Sequence, residues 1–289
     1  MTIWIFRPIF TSIKQHPKVC FNNTIVRLEI TFGSATSKLW VMLKDKMGND
    51  ILLNNCPTKT NFEDIRKWLI DEDRTLNKGF YCNWTIIEKA FNNNHLSTIE
   101  INNESVGFIA WSEGDIYAEI DIMEIKPELR FKGIGKEFFI KFSTSLKHQG
   151  FIAVKIFCSP PESERFWKKM GFIKFPDRGY TESDLVFYKP LIDVQINSFE
   201  EVAENKIELW NVEPHQIRDN QPKWTWNFET KDDKLLLPII QPCNYNWNLR
   251  WSKNGKIIKE DKVKYFSTRK NKIDYSPFLY IKELIDKKE

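Results

Sequence analysis

From Glu119 a strand-like segment leads to Lys126-Pro127, then Arg130-Phe131-Lys132-Gly133-Ile134-Gly135, and then a stretch with Phe138, Phe139, Phe142 and Leu146 at helical spacing. A strand, a glycine turn and an amphipathic helix in immediate succession build an anion cradle. Two glycines two residues apart let the backbone approach a phosphate, and the helix they open points its unpaired N–H groups and positive dipole end at the charge. The pattern predicts a pyrophosphate site, with Arg130, Lys132 and Lys136 adding cationic reach. Short Gly-x-Gly runs also open turns that bind nothing, so the flanking elements decide.

Those elements have a definite order. Gly150 suits the C-cap of the first helix, and the apolar run Phe151-Ile152-Ala153-Val154-Lys155-Ile156-Phe157-Cys158 reads as a buried strand. Ser159 is placed to cap a second helix, with Pro160, Pro161 and Glu162 in its first turn and Gly171 ending it after Phe166-Trp167-Lys168-Lys169-Met170. Residues 172–189 read as a closing strand pair. Upstream, residues 97–101 and 106–111 alternate around Asn102-Asn103 as a hairpin, and Glu113-Gly114-Asp115 turns the chain into the strand beginning near Ile116.

With those motifs in place, the chain resembles the GNAT superfamily of acetyl-CoA-dependent N-acetyltransferases over roughly residues 61–190. Arg130, Gly133 and Gly135 match the family's phosphate signature, Ile125-Lys126-Pro127 matches the end of its preceding strand, and Phe166-Trp167-Lys168-Lys169-Met170-Gly171-Phe172 matches its later aromatic and Gly-Phe motif. The resemblance implies a mixed, mostly antiparallel α/β (α+β) sheet flanked by helices and acetyl-CoA as co-substrate. It also implies that Met123, Glu124, Ile125 and residues 130–136 hold the coenzyme, together with Phe166 and Trp167.

Composition agrees with a protein larger than that core. The chain has 289 residues, 42% of them hydrophobic, which predicts more than one compact unit. Three regions are expected: a small β unit over 1–55, the transferase domain over 56–191, and a tryptophan-rich, mainly β accessory domain over 192–289. A net charge of +4 does not by itself call for a nucleic acid or membrane partner. Five dispersed cysteines and four dispersed histidines (His16, His95, His148, His215) offer no zinc spacing, so no metal is expected. An odd cysteine count suits a reducing compartment, each cysteine being read as a small buried apolar residue. Arg7 and Pro8 interrupt the apolar start, no stretch approaches a membrane span, and cytoplasmic placement is the expectation.

In the first region, residues 25–32 and 38–43 alternate, with a turn at Gly48-Asn49. Thr60-Asn61-Phe62-Glu63 resembles a capping box opening a helix with Phe62, Ile65, Trp68 and Leu69 inward, and Asn83 is placed to cap another with Trp84, Ile87 and Phe91 inward. In the last region a helical candidate near residues 199–209 precedes alternating Trp224 and Trp226, then Trp247, Leu249 and Trp251, and Asn254-Gly255 signals a hairpin. Basic residues from Arg250 to Lys272 interleave with aromatics, which suits either a solvated hairpin or a grip on tRNA or another polyanion.

Period-two alternation puts Tyr117, Glu119, Asp121, Met123 and Ile125 on one strand face unless a bulge intervenes. Glu119 stands eleven residues before Arg130, where the family resemblance implies the base that deprotonates the amine, with Asp121 as helper or as an attractive charge for a cationic acceptor. The competing reading has both carboxylates facing water. Trp167 departs from the family, which often carries a proton-donating tyrosine there, so Tyr180, Tyr117 or a water is left to protonate the thiolate. The acceptor is an amine, small-molecule, protein or aminoacyl-tRNA. A catalytically silent acyl-CoA-binding module and an interaction protein on a transferase scaffold are the alternatives.

Overall fold

The computed structural model describes residues 2–4, 28–32, 35–39, 51–77, 79–180, 184–198, 203–218, 220–231, 234–266 and 277–285. They divide into two compact units, one drawn from 12–113 and 118–149, the other from 1–11, 114–117 and 150–289. Strand β1 (Thr2–Trp4) belongs to the second unit, while β2 (Leu28–Phe32) and β3 (Ala35–Leu39) pair with each other in the first. The turn expected at Gly48-Asn49, and with it Cys20 and His16, lies outside the described residues.

The first unit then continues with β4 (Ile51–Asn54), α1 (Lys59–Leu76), α2 (Trp84–Asn92), β5 (Leu96–Ile101), β6 (Glu104–Glu113), β7 (Tyr117–Ile125, the unit taking it from Ala118) and α3 (Ile134–His148). Strands β4 to β7 pair antiparallel in sequence order. Asn102 (φ 52°) and Asn103 (φ 63°) both take the left-handed conformation that a tight two-residue hairpin needs, as their identity predicts. Ile51–Asn54 joins this sheet through β5, and the Asn55 amide donates to Ser145 Oγ at 2.8 Å, so the pairing begins before residue 56.

Helix α1 starts two residues earlier than the Thr60 box suggests. Thr58 is the N-cap and Asn61 the reciprocal partner, the Thr58 N–H donating to Asn61 Oδ1 at 2.9 Å. Asn61 performs the role usually given to Glu or Gln, which is why a pattern keyed to those residues misplaced the box. Phe62, Ile65 and Leu69 bury against Ile87, Leu96, Phe108 and Ile122, the apolar stripe expected of an amphipathic helix on a sheet. Asn83 precedes α2 without a side-chain cap bond.

The second unit adds β8 (Ala153–Phe157), α4 (Glu164–Lys169), β9 (Ile173–Lys174) and β10 (Val186–Pro190), with β10 antiparallel to both strands. Ser159 does not cap α4: a single 3-10 turn, Pro161–Ser163, intervenes, because the two prolines fix the chain before a helix can begin. Strands β11 (Lys206–Leu209), β12 (Trp224–Asn227), β13 (Thr230–Lys231), β14 (Lys234–Pro242), β15 (Asn248–Lys253), β16 (Lys256–Lys262) and β17 (Phe278–Ile285) follow. They form two antiparallel four-stranded sheets, β12-β11-β15-β16 and β1-β17-β14-β13. The helical candidate at 199–209 is corrected where described: Lys206–Leu209 is a strand, since Ile207 and Leu209 enter a core with Trp226, Trp247 and Trp251.

This β-rich part shares a core with β8 and β10. Phe278, Tyr280 and Ile240 pack on Ala153, Phe175, Val186 and Tyr188. Buried Arg178 ties the same region together, its Nη1 donating to the carbonyls of Cys243 (3.1 Å) and Pro277 (3.2 Å). Cys158 and Cys243 are buried as expected, but Cys82, though free, is exposed, and Cys56 is disulfide-bonded, so the buried reading fails for the first and the reduced one for the second.

Candidate functional site

The end of β7 sets the site. Ala110 pairs with Ile122 and Trp111 with Ile120, so the register shifts across Asp121. Ala118, Ile120 and Ile122 are buried, whereas Glu119, Asp121 and Met123 share the less buried face, Asp121 being exposed. The Ser112 hydroxyl donates to Asp121 Oδ1 at 3.3 Å. The alternation breaks at Ile125, which is buried although the period-two reading put it with Glu119. Opposite it, a Cβ on Gly107 would lie 2.7 Å from the Glu124 carbonyl oxygen, so only glycine lets β6 approach β7 here.

After a 3-10 turn at Pro127–Leu129, Phe131 (φ 61°) and Gly133 (φ 88°) adopt left-handed backbone, and Phe131, Lys132 and Gly133 are exposed. Gly133 is the N-cap of α3, and no side chain caps the helix. An added Cβ at Gly133 would meet nothing within 4 Å, so its φ, not crowding, demands glycine, and the space before the helix is open. Ile134 is buried, Gly135 partly so, and Lys136 is exposed. The first-turn N–H groups of α3 therefore lack a side-chain cap and open onto unfilled space.

Arg130 is placed differently from its expected outward reach. Its Nη2 donates to Glu72 Oε1 (2.7 Å) and Glu124 Oε1 (2.8 Å), and its Nε to the Ile125 carbonyl (2.9 Å). Burial pushes the Glu124 carboxyl up to about 7 against the lowering pull of Arg130, and neighbouring Glu72 raises it further. Glu72 escaped the sequence reading. It stands three residues after Leu69 on the buried stripe of α1, and a carboxylate on such a stripe signals a buried cation partner.

In the second unit, Trp167 is buried on α4 in edge contact with Phe166 (5.0 Å) and Phe172 (5.1 Å). Tyr180 is exposed, under the Arg178 guanidinium at 5.2 Å, and Tyr117 packs edge-on against Phe278 at 5.3 Å. The basic hairpin is largely occupied by its own acids and rings. Arg250 grips Glu260 through Nε (2.9 Å) and Nη2 (3.1 Å) and lies over Trp210, Lys262 pairs with Glu213, and Lys259 donates to the Tyr265 carbonyl. Arg269, Lys270 and Lys272 lie outside the described residues. Among the described residues no His, Cys, Asp and Glu group could hold a metal ion, and no helix is long and apolar enough to cross a membrane.

Residues 77–188 match the family model described as an acetyltransferase (GNAT) domain. No curated protein matches the chain. Solved structures similar to it include a GNAT-family acetyltransferase from Staphylococcus aureus Mu50, 16% identical over 49% of this chain and 99% of that one with a TM-score of 0.39. The PaiA N-acetyltransferase from Thermoplasma acidophilum in complex with coenzyme A is 17% identical over 49% of this chain and 99% of that one, TM-score 0.39. The ribosomal-protein-S18-alanine N-acetyltransferase from Escherichia coli is 12% identical over 52% and 99%, TM-score 0.38.

Proposed function

Residues 77–188 are a GNAT acetyltransferase domain, and on that premise we propose that the protein transfers an acetyl group from acetyl-coenzyme A to a primary amine by direct attack on the thioester. The observation that carries this reading is the uncapped N-terminus of the 15-residue α3 behind open, left-handed Gly133. Backbone N–H groups of residues 133–136 hold the diphosphate, exposed Lys132 and Lys136 add charge, and the backbone of Met123, Glu124 and Ile125 aligns the pantetheine arm. Acetyl-coenzyme A supplies the acyl group on a leaving thiolate.

Glu119, on the less buried face of β7, takes the amine's proton directly or through water, and exposed Asp121 draws a cationic acceptor toward it. The new C–N bond forms as the C–S bond breaks, and the thiolate takes its proton from water. In this reading residues 56–191 are the catalytic domain, whose sheet Ile51–Asn54 extends by one strand, the rest of 1–55 and 192–289 flank it, and the protein works in the cytoplasm. The acceptor is a small-molecule amine in preference to tRNA, because Arg250, Lys259 and Lys262 of the basic hairpin are engaged internally.

One observation favours a second reading, a coenzyme-binding module without chemistry: the indole of Trp167, where the family often has a phenol, is buried in an aromatic cluster. An amine panel with detection of released thiol separates the two. Amine-dependent thiol release that drops in Glu119→Gln supports transfer; coenzyme binding without release for any amine supports the silent module.

A further inference from the structure

Arg130 opens the coenzyme loop three residues before Gly133, yet its charge is spent on the protein interior. Nη2 lies between two carboxylate oxygens and Nε holds the last carbonyl of β7. The Glu72 side chain is 1% exposed, that of Glu124 12% and that of Arg130 30%. Among the described residues Glu72 Oε2 has no hydrogen-bond partner. One guanidinium thus faces two enclosed carboxylates, which leaves an unbalanced negative charge when both are ionised and neutrality when they share a proton.

Among the described residues the surroundings offer no further compensation. On α1 the facing group is Glu72; across β6 the residue paired with Glu124 is Phe108; on the strand's own continuation Lys126 is paired with Glu104. Glu128, on the 3-10 turn, is exposed, as are Lys132 and Lys136 on the loop and helix. Resting on the coenzyme reading above, we infer that Arg130 is a positioning residue and not a phosphate ligand, clamped by Glu72 and Glu124 so that a diphosphate arriving at the loop draws a proton onto the carboxylate pair.

The physics of that step is electrostatic. A new anion at residues 133–136 raises the cost of the cluster's unbalanced negative charge, and proton uptake removes it while the Arg130 grip on Ile125 keeps the loop in place. The value near 7 for Glu124 puts the exchange in the neutral range. Affinity for a diphosphate ligand therefore falls as pH rises through that range.

Calorimetric titration of the full chain with dephospho-coenzyme A tests this, because that ligand lacks the 3′-phosphate that itself titrates near neutrality. Run near pH 7 in PIPES and in Tris, the wild type gives an apparent enthalpy that changes with the buffer's ionisation heat, equivalent to roughly 0.2–0.7 proton taken up per ligand. Uptake disappears in Glu124→Gln and in Glu72→Gln, the second of which still binds, and pantetheine, which has no diphosphate, shows none with the wild type. Binding with buffer-independent heat, or uptake that persists in Glu124→Gln, overturns the clamp while leaving the coenzyme reading intact. If neither ligand binds the wild type, the coenzyme reading falls and the clamp with it. Should the variants not fold, the wild-type contrast between dephospho-coenzyme A and pantetheine still decides.

Discussion

Arg130 Nη2 donates to Glu72 at 2.7 Å and to Glu124 at 2.8 Å, so one nitrogen joins α1, β7 and the coenzyme loop. Removing the cation strands two carboxylates, one of them 1% exposed. Arg130→Met is therefore expected to destabilise the fold by about 3–5 kcal/mol, the scale for breaking a buried pair from one side. Urea unfolding measures it. A loss within ~0.5 kcal/mol, typical of a surface change, contradicts the clamp.

The same cluster gives stability a pH dependence. The Glu124 carboxyl is raised from 4.5 to about 7 in the folded chain, chiefly by burial. Folded protein keeps this proton where unfolded chain has lost it, so the contribution is fully present below about 4.5 and is lost as pH rises toward 7. Unfolding free energies at pH 5 and 7.5 should show a smaller decline in Glu124→Gln than in the wild type. An equal decline in both assigns the slope elsewhere.

Two glycines at the site answer to different constraints. Gly133→Ala should cost about 1–2 kcal/mol through left-handed backbone alone, since nothing crowds its Cβ, and Gly133→Asn less. Gly107→Ala sets a Cβ 2.7 Å from the Glu124 carbonyl oxygen and should cost about 1–3 kcal/mol while shifting the end of β7. Thermal unfolding of the three variants, with coenzyme titration, checks the order: in Gly133→Asn affinity tracks stability, whereas in Gly107→Ala it falls further than stability does.

Loss of the proposed base should separate chemistry from binding. Glu119→Gln is expected to lower turnover by about 10²–10⁴-fold with coenzyme affinity unchanged. Steady-state kinetics and direct titration measure the two parts, and a parallel loss of affinity assigns Glu119 a binding role.

Trp167 belongs to the core whichever functional reading holds. Buried against Phe166 and Phe172, its truncation in Trp167→Ala should cost about 3–5 kcal/mol, and Trp167→Phe much less. Chemical denaturation distinguishes this from a surface residue that serves the coenzyme alone.

Much of the fold was legible because local chemistry and tertiary structure agree. Asn102-Asn103 and Asn254-Gly255 take left-handed conformations at hairpin turns, and the alternating tryptophans line one core. Two of the misses share a cause: tertiary partners overrode local pattern. Residues 206–209 pair as a strand because β12 and β15 flank them, and Arg130 turns inward because Glu72, 58 residues away in sequence, neutralises it. Glu72 itself was detectable as a charge on an apolar helical stripe, but its partner was not, since no spacing rule links α1 to the loop. The turn into α3 was the most legible part, written in the consecutive residues Arg130 to Gly135.

Titrating the full chain with coenzyme A and, separately, with pantetheine tests the central claim most directly, because pantetheine lacks the 3′-phosphoadenosine and the diphosphate, the latter being the group that the α3 loop is proposed to hold. The account predicts saturable binding of coenzyme A, weaker by roughly tenfold or more for pantetheine, a difference of at least ~1.4 kcal/mol. No heat with coenzyme A, or equal affinity for both, contradicts it.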